Sequence, residues 1–458
     1  MAVPDTNGVF ELQKAYFKSG ETLSYKFRLN ALKKLKKAIL DNEKAINEAL
    51  WKDLHKSEFE AYMSEVGFVL EELGYHIRKL RKWMKPRRVS SGITMFPAST
   101  YNYFEPLGNV LIIAPWNYPF QLTIAPLIGA VSAGNTVIIK PSEYSVNTSK
   151  VLEKIISETF SEQYIKVMNG DAKVSQALLK LKFDHIFFTG SPRVGKIVYK
   201  AAAENMVPVT LELGGKSPCI VDETAKLKLA AKRIVWGKLL NAGQTCIAPD
   251  YLLVHKSVKA KLMPLLKESI EKFFGEDQSV SEEFPHIISK PNIERLATLI
   301  DGADIYYGGK YNASEKYFQP TILDNVTFDD PVMQQEIFGP IIPVIEYDNL
   351  DKVIETVNAR PKPLALYLFT ERSSTRRKVL AKVPAGGATV NDTLMHIVNN
   401  KIPFGGVGNS GIGGYHGFYS FERFSNNKPF VRRGTWMDVP IRYAPFGKKI
   451  LILKQLMK

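Results

Sequence analysis

Apolar residues recur along this chain with two distinct periods. Leu29, Leu32, Leu35, Ile39, Ile46 and Leu50 are spaced three, four or seven apart, which predicts an amphipathic helix over 29–50. A second stripe, Phe59, Met63, Val66, Leu70, Leu73, Ile77 and Leu80, predicts a helix over 59–83 that ends before Pro86. The pattern then changes. Thr94, Phe96, Tyr101, Tyr103 and Phe104, set around Pro97 and Ser99, read as a hairpin or an extended arm. From there the rhythm is strand, turn, helix. Continuous apolar runs predict buried strands at 110–114, 136–140, 165–168, 185–189 and 209–213. Helical segments at 122–132, 145–160, 175–181 and 193–204 separate most of them.

A second series of the same kind follows. Strands are expected at 251–255, 305–307, 341–346, 364–370 and 388–391, with helices at 258–273, 292–301, 350–359 and 375–383. Buried strands alternating with helices imply an α/β protein whose parallel sheets are covered on both faces. Right-handed crossovers put the ligand-binding loops at the carboxyl ends of such strands. Boundaries fall near Glu212 and Asn391. The segment from Lys428 is basic with an apolar finish at Ile450, Leu451, Ile452 and Leu453. It is suited to a partner subunit or a membrane surface, and too short and too charged to span a bilayer.

Composition narrows the classes. The chain has 458 residues, enough for two or three domains, with ordinary fractions of 45% apolar and 23% charged residues. The 1–20 segment lacks the apolar core of a secretion signal, and no apolar run approaches a membrane span. Two cysteines without paired spacing indicate a reducing compartment, and a cytoplasmic location is expected. The net charge of +15 raises the question of nucleic acid. The lysines are scattered over many helices and no nucleic-acid motif is present, so a solvated basic surface is the reading taken.

Five stretches carry candidate chemistry. Cys246 sits in Asn-Ala-Gly-Gln-Thr-Cys-Ile-Ala-Pro, between an apolar helical segment and a strand; a thiol at the mouth of a loop can meet a substrate and act as a nucleophile. Glu212 interrupts an apolar strand before two glycines; burial would lift its pKa towards that of a general base, or the carboxylate is bonded to its own loop. Asn117, after a strand, is either an oxyanion donor or a turn residue. Gly190, Ser191, Pro192, Arg193, Val194 and Gly195 join a strand to a helix. Such a start suits a pyrophosphate, and a plain glycine turn fits as well. This run departs from G-x-G-x-x-G, and Ile197 stands where a triphosphate loop needs Ser or Thr. Lys140 and Glu143 follow a strand and could hold ribose hydroxyls, the carboxylate disfavouring a 2′-phosphate, or form a solvated loop pair. The Gly-rich turn over 403–411 reads as a close-approach loop. Cys219 reads as a core residue, and the seven histidines show no metal-ligand spacing, so no metal is expected.

Together, Ala-Pro-Trp-Asn-Tyr-Pro (114–119), Ile-Lys-Pro-Ser-Glu (139–143), Phe-Thr-Gly-Ser (188–191), Leu-Glu-Leu-Gly-Gly-Lys-Ser-Pro (211–218), Gly-Gln-Thr-Cys (243–246), Glu-Ile-Phe-Gly-Pro (336–340) and Pro-Phe-Gly-Gly-Val-Gly-Asn-Ser-Gly (403–411) resemble the aldehyde dehydrogenase superfamily, in its class 3 or fatty-aldehyde branch. The resemblance implies a Rossmann-type parallel-sheet domain for NAD, with NADP as the alternative, over 1–86 and 107–211 with part of 392–427. It also implies an α/β catalytic domain over 212–391, and an oligomerisation arm and tail, 87–106 and 428–458, that would form a homodimer. It implies Cys246 as nucleophile, Glu212 as general base, and Asn117 with the Cys246 N–H as the oxyanion hole. Lys140 and Glu143 would hold the adenosine ribose, Gly190 to Gly195 the pyrophosphate, and Glu336 the nicotinamide ribose with Phe338 beside it. Tyr62, Met63, Tyr118, Trp236, Thr393 and His396 would line the tunnel for a medium- or long-chain or aromatic aldehyde.

Overall fold

Three helices open the protein, α1 (Thr6–Lys18), α2 (Tyr25–Asp41) and α3 (Glu43–Leu54), in a computed structural model that describes residues 4–457. The single helix expected over 29–50 is therefore two. Asn42 leaves the helical region (φ −115°, ψ 12°) and its Nδ2 donates to Ala38 O at 2.9 Å, a side-chain bond that competes with the helix ladder. The next stripe does run to Trp83, through α4 (Glu58–Ala61), a wide turn at Tyr62–Val66 and α5 (Gly67–Trp83). Val66, Leu73 and Leu80 are fully buried, whereas Phe59 is 74% exposed. The wide turn breaks the 3.6-residue period, so positions before it face differently from those after it. Glu60 and Glu65 turn inward instead.

The segment after Pro86 is a hairpin, β1 (Arg87–Val89) antiparallel to β2 (Ala98–Pro106). The first large sheet follows: β3 (Asn109–Ile113), α6 (Gln121–Ala133), β4 (Thr136–Lys140), α7 (Val146–Thr159), β5 (Ile165–Val167), α8 (Ala172–Leu179), β6 (His185–Gly190), α9 (Pro192–Glu204) and β7 (Val209–Leu213). These strands are parallel in the order β7-β6-β3-β4-β5. β3, β4 and β7 are buried at every position, which is why they read as unbroken apolar runs. The chain reverses direction across the sheet between β3 and β6, and a doubly wound fold opens its crevice at such a point.

The second sheet begins five residues after Leu213. It contains β8 (Pro218–Val221), α10 (Leu227–Leu239), β9 (Tyr251–His255), α11 (Lys256–Phe274), α12 (Lys290–Ile300), β10 (Ile305–Tyr307), the small pair β11 (Tyr311–Asn312) and β12 (Tyr317–Phe318), β13 (Thr321–Leu323), β14 (Ile341–Tyr347), α13 (Leu350–Asn358), β15 (Ala365–Phe369), α14 (Ser373–Lys382) and β16 (Gly387–Val390). Its order is β10-β13-β14-β9-β8-β15-β16, parallel except for β10 against β13. Cys219 lies on β8 with no exposed surface, between Leu252 and Tyr367 of the flanking strands.

The chain then returns to the first sheet. β17 (Gly411–Ile412) pairs antiparallel with β7, placing Gly411 opposite Glu212. After α15 (Phe418–Arg423), β18 (Ser425–Arg433) pairs with β2 along its whole length and completes a three-stranded arm. The final helix, α16 (Lys449–Leu456), has no buried residue.

Candidate active site

A sharp reversal after α10 delivers the thiol. Asn241 and Ala242 both take left-handed backbone (φ 54° and 51°) and Gly243 follows at φ 76°. Two consecutive non-glycine residues in that region are costly, so the surrounding bonds must hold them. Gln244 anchors the loop from inside: its Nε2 donates to His286 O (3.0 Å) and Asn241 O (3.1 Å), and its Oε1 accepts the Ile288 N–H (3.0 Å). Tyr367 Oη donates to Ile247 O at 2.5 Å. Cys246, thus pinned from both sides, lines a cavity of about 450 Å3.

Glu212 lines the same cavity. It sits on β7 beside Thr189 of β6, and it is buried with neither carboxylate oxygen bonded to the protein. Burial raises its pKa well above the usual carboxylate range, and Arg423 pulls it back only in part. Burial also pushes the Cys246 thiol up to about 12, the charges of Glu336 and Glu212 adding to it. Asn117 is buried behind the loop. Its Nδ2 donates to Gln244 O at 2.9 Å, and a carboxamide has two such hydrogens, so one is left for another acceptor.

On the other side of Glu212, the carboxyl ends of the first sheet present a polar rim. Ser191 Oγ caps α9 by accepting the Val194 N–H (3.4 Å), Pro192 occupies the first helical position, and Ser191 and Arg193 are exposed. Gly195 lets the helix close on the sheet, because a Cβ there would lie 2.6 Å from Leu213 Cδ2. Gly190 ends β6 at the foot of this turn. Lys140 is buried at the end of β4, its Nζ donating to Pro141 O (2.7 Å) and to the half-exposed Glu143 (3.4 Å); burial lowers its pKa and Glu143 counters. Glu336 packs on Gly214, where a Cβ would meet its Oε2 at 2.1 Å, and burial, aided by the charge of Asp250, lifts it to about 8. Phe338 has φ 50° and meets Trp116 edge-on at 5.4 Å. Among the described residues, no group of three or more His, Cys, Asp or Glu is placed to hold a metal.

Of the residues expected along a substrate tunnel, Tyr62, Met63, Tyr118 and Trp236 line the cavity. Thr393 and His396 do not. Thr393 is buried under α10, with its Oγ1 donating to Arg233 O at 2.8 Å and its Cβ against Gly237. His396 bonds Thr389 Oγ1 (3.0 Å) and stacks on Phe404. Leu394 turns left-handed (φ 61°), and the lining from this segment is Leu394, Met395, Ile397 and Val398. Sequence reasoning also missed Phe68, Phe404 and Tyr415 on the wall. Phe404 lies inside the Gly-rich 403–411 stretch, which was a usable signal; Phe68 and Tyr415 offered none.

Comparison with known proteins agrees with this geometry. The family described as the aldehyde dehydrogenase family matches residues 4–430. The chain is 47% identical to 4,4'-diaponeurosporen-aldehyde dehydrogenase of Staphylococcus aureus, over 97% of each protein. It is 43% identical to the dimeric NADP-preferring aldehyde dehydrogenase of Canis lupus familiaris, over 95% of this chain and 97% of that one. The solved substrate-bound state of Staphylococcus aureus AldH superposes with a TM-score of 0.97 at 46% identity, covering 98% of this chain and 99% of the other. An indole-3-acetaldehyde dehydrogenase complexed with NAD+ superposes at 0.85, with 26% identity over 93% and 88%. On its fold, its cavity and these matches, this chain belongs to the aldehyde dehydrogenase family.

Proposed function

We propose that this aldehyde dehydrogenase oxidises apolar aldehydes, medium- or long-chain aliphatic or aromatic, to carboxylic acids through a thioester on Cys246. The observation that carries the reading is that a thiol and an unbonded buried carboxylate from different sheets line one apolar cavity. Cys246 attacks the carbonyl carbon as the thiolate. Burial holds the thiol pKa up, so attack requires a base, and Glu212 in the same cavity, once the pH exceeds its own raised pKa, is the acceptor. The carbonyl oxygen, gaining charge, meets the free hydrogen of Asn117 Nδ2 and the Cys246 N–H. The nicotinamide cofactor, when bound, supplies the acceptor for the hydride lost from the carbonyl carbon. After passing the thiol proton on to solvent, Glu212 takes a proton from the water that adds to the thioester, and the adduct collapses to the carboxylic acid with Cys246 leaving as the thiolate.

The rim fits a dinucleotide: the exposed first turn of α9, at the positive end of that helix's dipole, suits a pyrophosphate, and Lys140 with Glu143 suits the adenosine ribose. Glu336, with Phe338 close by, is assigned to the nicotinamide ribose. NAD is the cofactor proposed, with NADP as the alternative; relatives are named for both. The wall of Tyr62, Phe68, Trp236, Leu240, Ile247 and Phe404 suits hydrocarbon chains and rings. The division into a cofactor part (1–86, 107–211 and part of 392–427), a catalytic part (212–391) and an arm with tail (87–106, 428–458) belongs to the same proposal. So does a homodimer, supported by exposed Phe430 and Val431 on β18. A cytoplasmic location is proposed on the two free cysteines. The test is a panel of aliphatic and aromatic aldehydes with NAD and NADP, on the natural protein and on Cys246→Ala. Loss of NADH formation in Cys246→Ala is expected, and undiminished turnover would remove Cys246 from the reaction.

A further inference from the structure

Three charged side chains are buried behind the two loops that carry Asn117 and Cys246, and the reaction as described uses none of them. Lys56 and Glu65 form an ion pair at 2.5 Å with no exposed surface on either side chain. Lys56 Nζ also donates to Asn117 O at 3.1 Å and lies 3.9 Å over the Tyr118 ring. The second oxygen of Glu65 accepts the N–H groups of Phe120 (2.8 Å) and Gln121 (3.1 Å), where α6 begins. Glu60 reaches the other loop: its Oε1 accepts the Asn241 N–H at 2.8 Å. The Asn241 side chain then donates to Asn117 O (2.7 Å) and Gln244 O (3.1 Å), closing the circuit between the loops.

Burying three charges costs free energy unless each is bonded, and an apolar cluster would serve stability as well. What these bonds do is local. Asn241 and Ala242 hold φ values of 54° and 51°; asparagine tolerates that region but alanine does not adopt it cheaply. Among the described residues, the only side-chain bond to the backbone N–H of that pair comes from Glu60. We infer that Glu60 is a positioning residue for the reaction: through the Asn241 amide it holds the left-handed turn that presents Cys246, and with Lys56 and Glu65 it sets that turn against the Asn117 loop. The inference rests on Cys246 and Asn117 having the roles proposed above.

Burial pushes the Glu60 carboxyl up to about 7, against the pull of Lys56 and the Asn241 N–H. A neutral acceptor is therefore close to what the site already tolerates. Glu60→Gln keeps a carbonyl oxygen at the same reach and Glu60→Ala removes it. Ala242→Gly makes the left-handed turn inexpensive without any clamp. These variants are assayed for kcat and aldehyde KM at saturating cofactor, with thermal midpoints in parallel. Glu60→Ala is expected to lose kcat by about 10- to 100-fold with KM within about threefold, because a misplaced nucleophile slows chemistry more than binding. Glu60→Gln should stay within about threefold of the natural protein, and Ala242→Gly in the Glu60→Ala background should recover at least about threefold of the loss. If Glu60→Ala does not fold, Glu60→Asp, which draws the acceptor back by one methylene, is read in its place. A kcat within threefold in Glu60→Ala, an equal loss in Glu60→Gln, or no recovery with Ala242→Gly would each overturn the inference. Cys246→Ala in the same assay tests the underlying reading separately, since its full activity would sink that reading whatever Glu60 does.

Discussion

The loop that presents Cys246 makes Gly243→Ala an informative perturbation. Gly243 has φ 76°, and a left-handed backbone costs an alanine about 1–2 kcal/mol. A Cβ built there would also lie 2.3 Å from Gly339 O and 2.5 Å from Gly339 C. Contacts below 3.0 Å do not occur, and the obstacle is backbone, so the loop must move by at least 0.7 Å, the shortfall from 3.0 Å. The expected loss of stability is about 2–4 kcal/mol, combining the torsion with the enforced shift. Three residues before the thiol, a displacement of that size is expected to lower kcat/KM about 100-fold. Gly275→Ala is the matched control. Its φ is 83°, but nothing lies within 4 Å of the added carbon. With ψ at 172° it lies in a region nearly reserved for glycine, so the alanine should cost about 1–3 kcal/mol and leave turnover unchanged. The assay is NADH absorbance with an apolar aldehyde, alongside urea denaturation of both variants. If Gly243→Ala stays within threefold of natural activity and matches Gly275→Ala in stability, the clash argument is refuted.

Two further outcomes follow from the titrating groups. Glu212 has a raised folded pKa, so as a base it works only when pH exceeds that value; natural turnover should fall as pH drops through it, and Glu212→Gln should be slow and flat across the same window, with a wild-type acid limb in the variant excluding Glu212 as the base. Thiol labelling should find one accessible cysteine in the native protein, Cys246 at the cavity wall, which labels faster as pH rises because burial holds its thiol pKa up, while Cys219, fully buried and with its pKa raised by burial alone, reacts only after denaturation; two native-state labels would contradict the burial of β8.

Much of the fold was legible because parallel strands buried on both faces leave unbroken apolar runs. β4, β7 and β9 start and end where 136–140, 209–213 and 251–255 predict. β13, three residues long beside Pro320, left too little pattern to read. The break at Asn42 was hidden because the apolar spacing continues straight through it. In the site, Cys246 and Glu212 stood out by type and setting, one a thiol in a turn, the other a carboxylate interrupting an apolar strand. Glu60 and Glu65 could not be read. Their partners, the amides of Asn241 and of Phe120 and Gln121, are 181 and 55 or more positions away, and periodicity alone places a glutamate in solvent. Thr393 and His396 failed for a related reason: with no regular period in that segment, neighbouring side chains could not be sorted between inside and wall.

The short strand β17 has a consequence for how this protein is made. The β7 edge that carries Glu212 gains its neighbour only when Gly411 arrives, and the arm is completed only at β18. During translation that edge has to wait, unpaired, until residue 411, about 200 positions later, has left the ribosome, a long exposure for a strand apolar on both faces. Premature stops between residues 247 and 410 would then spare the codons for both the thiol and the base, and still yield chains prone to aggregate.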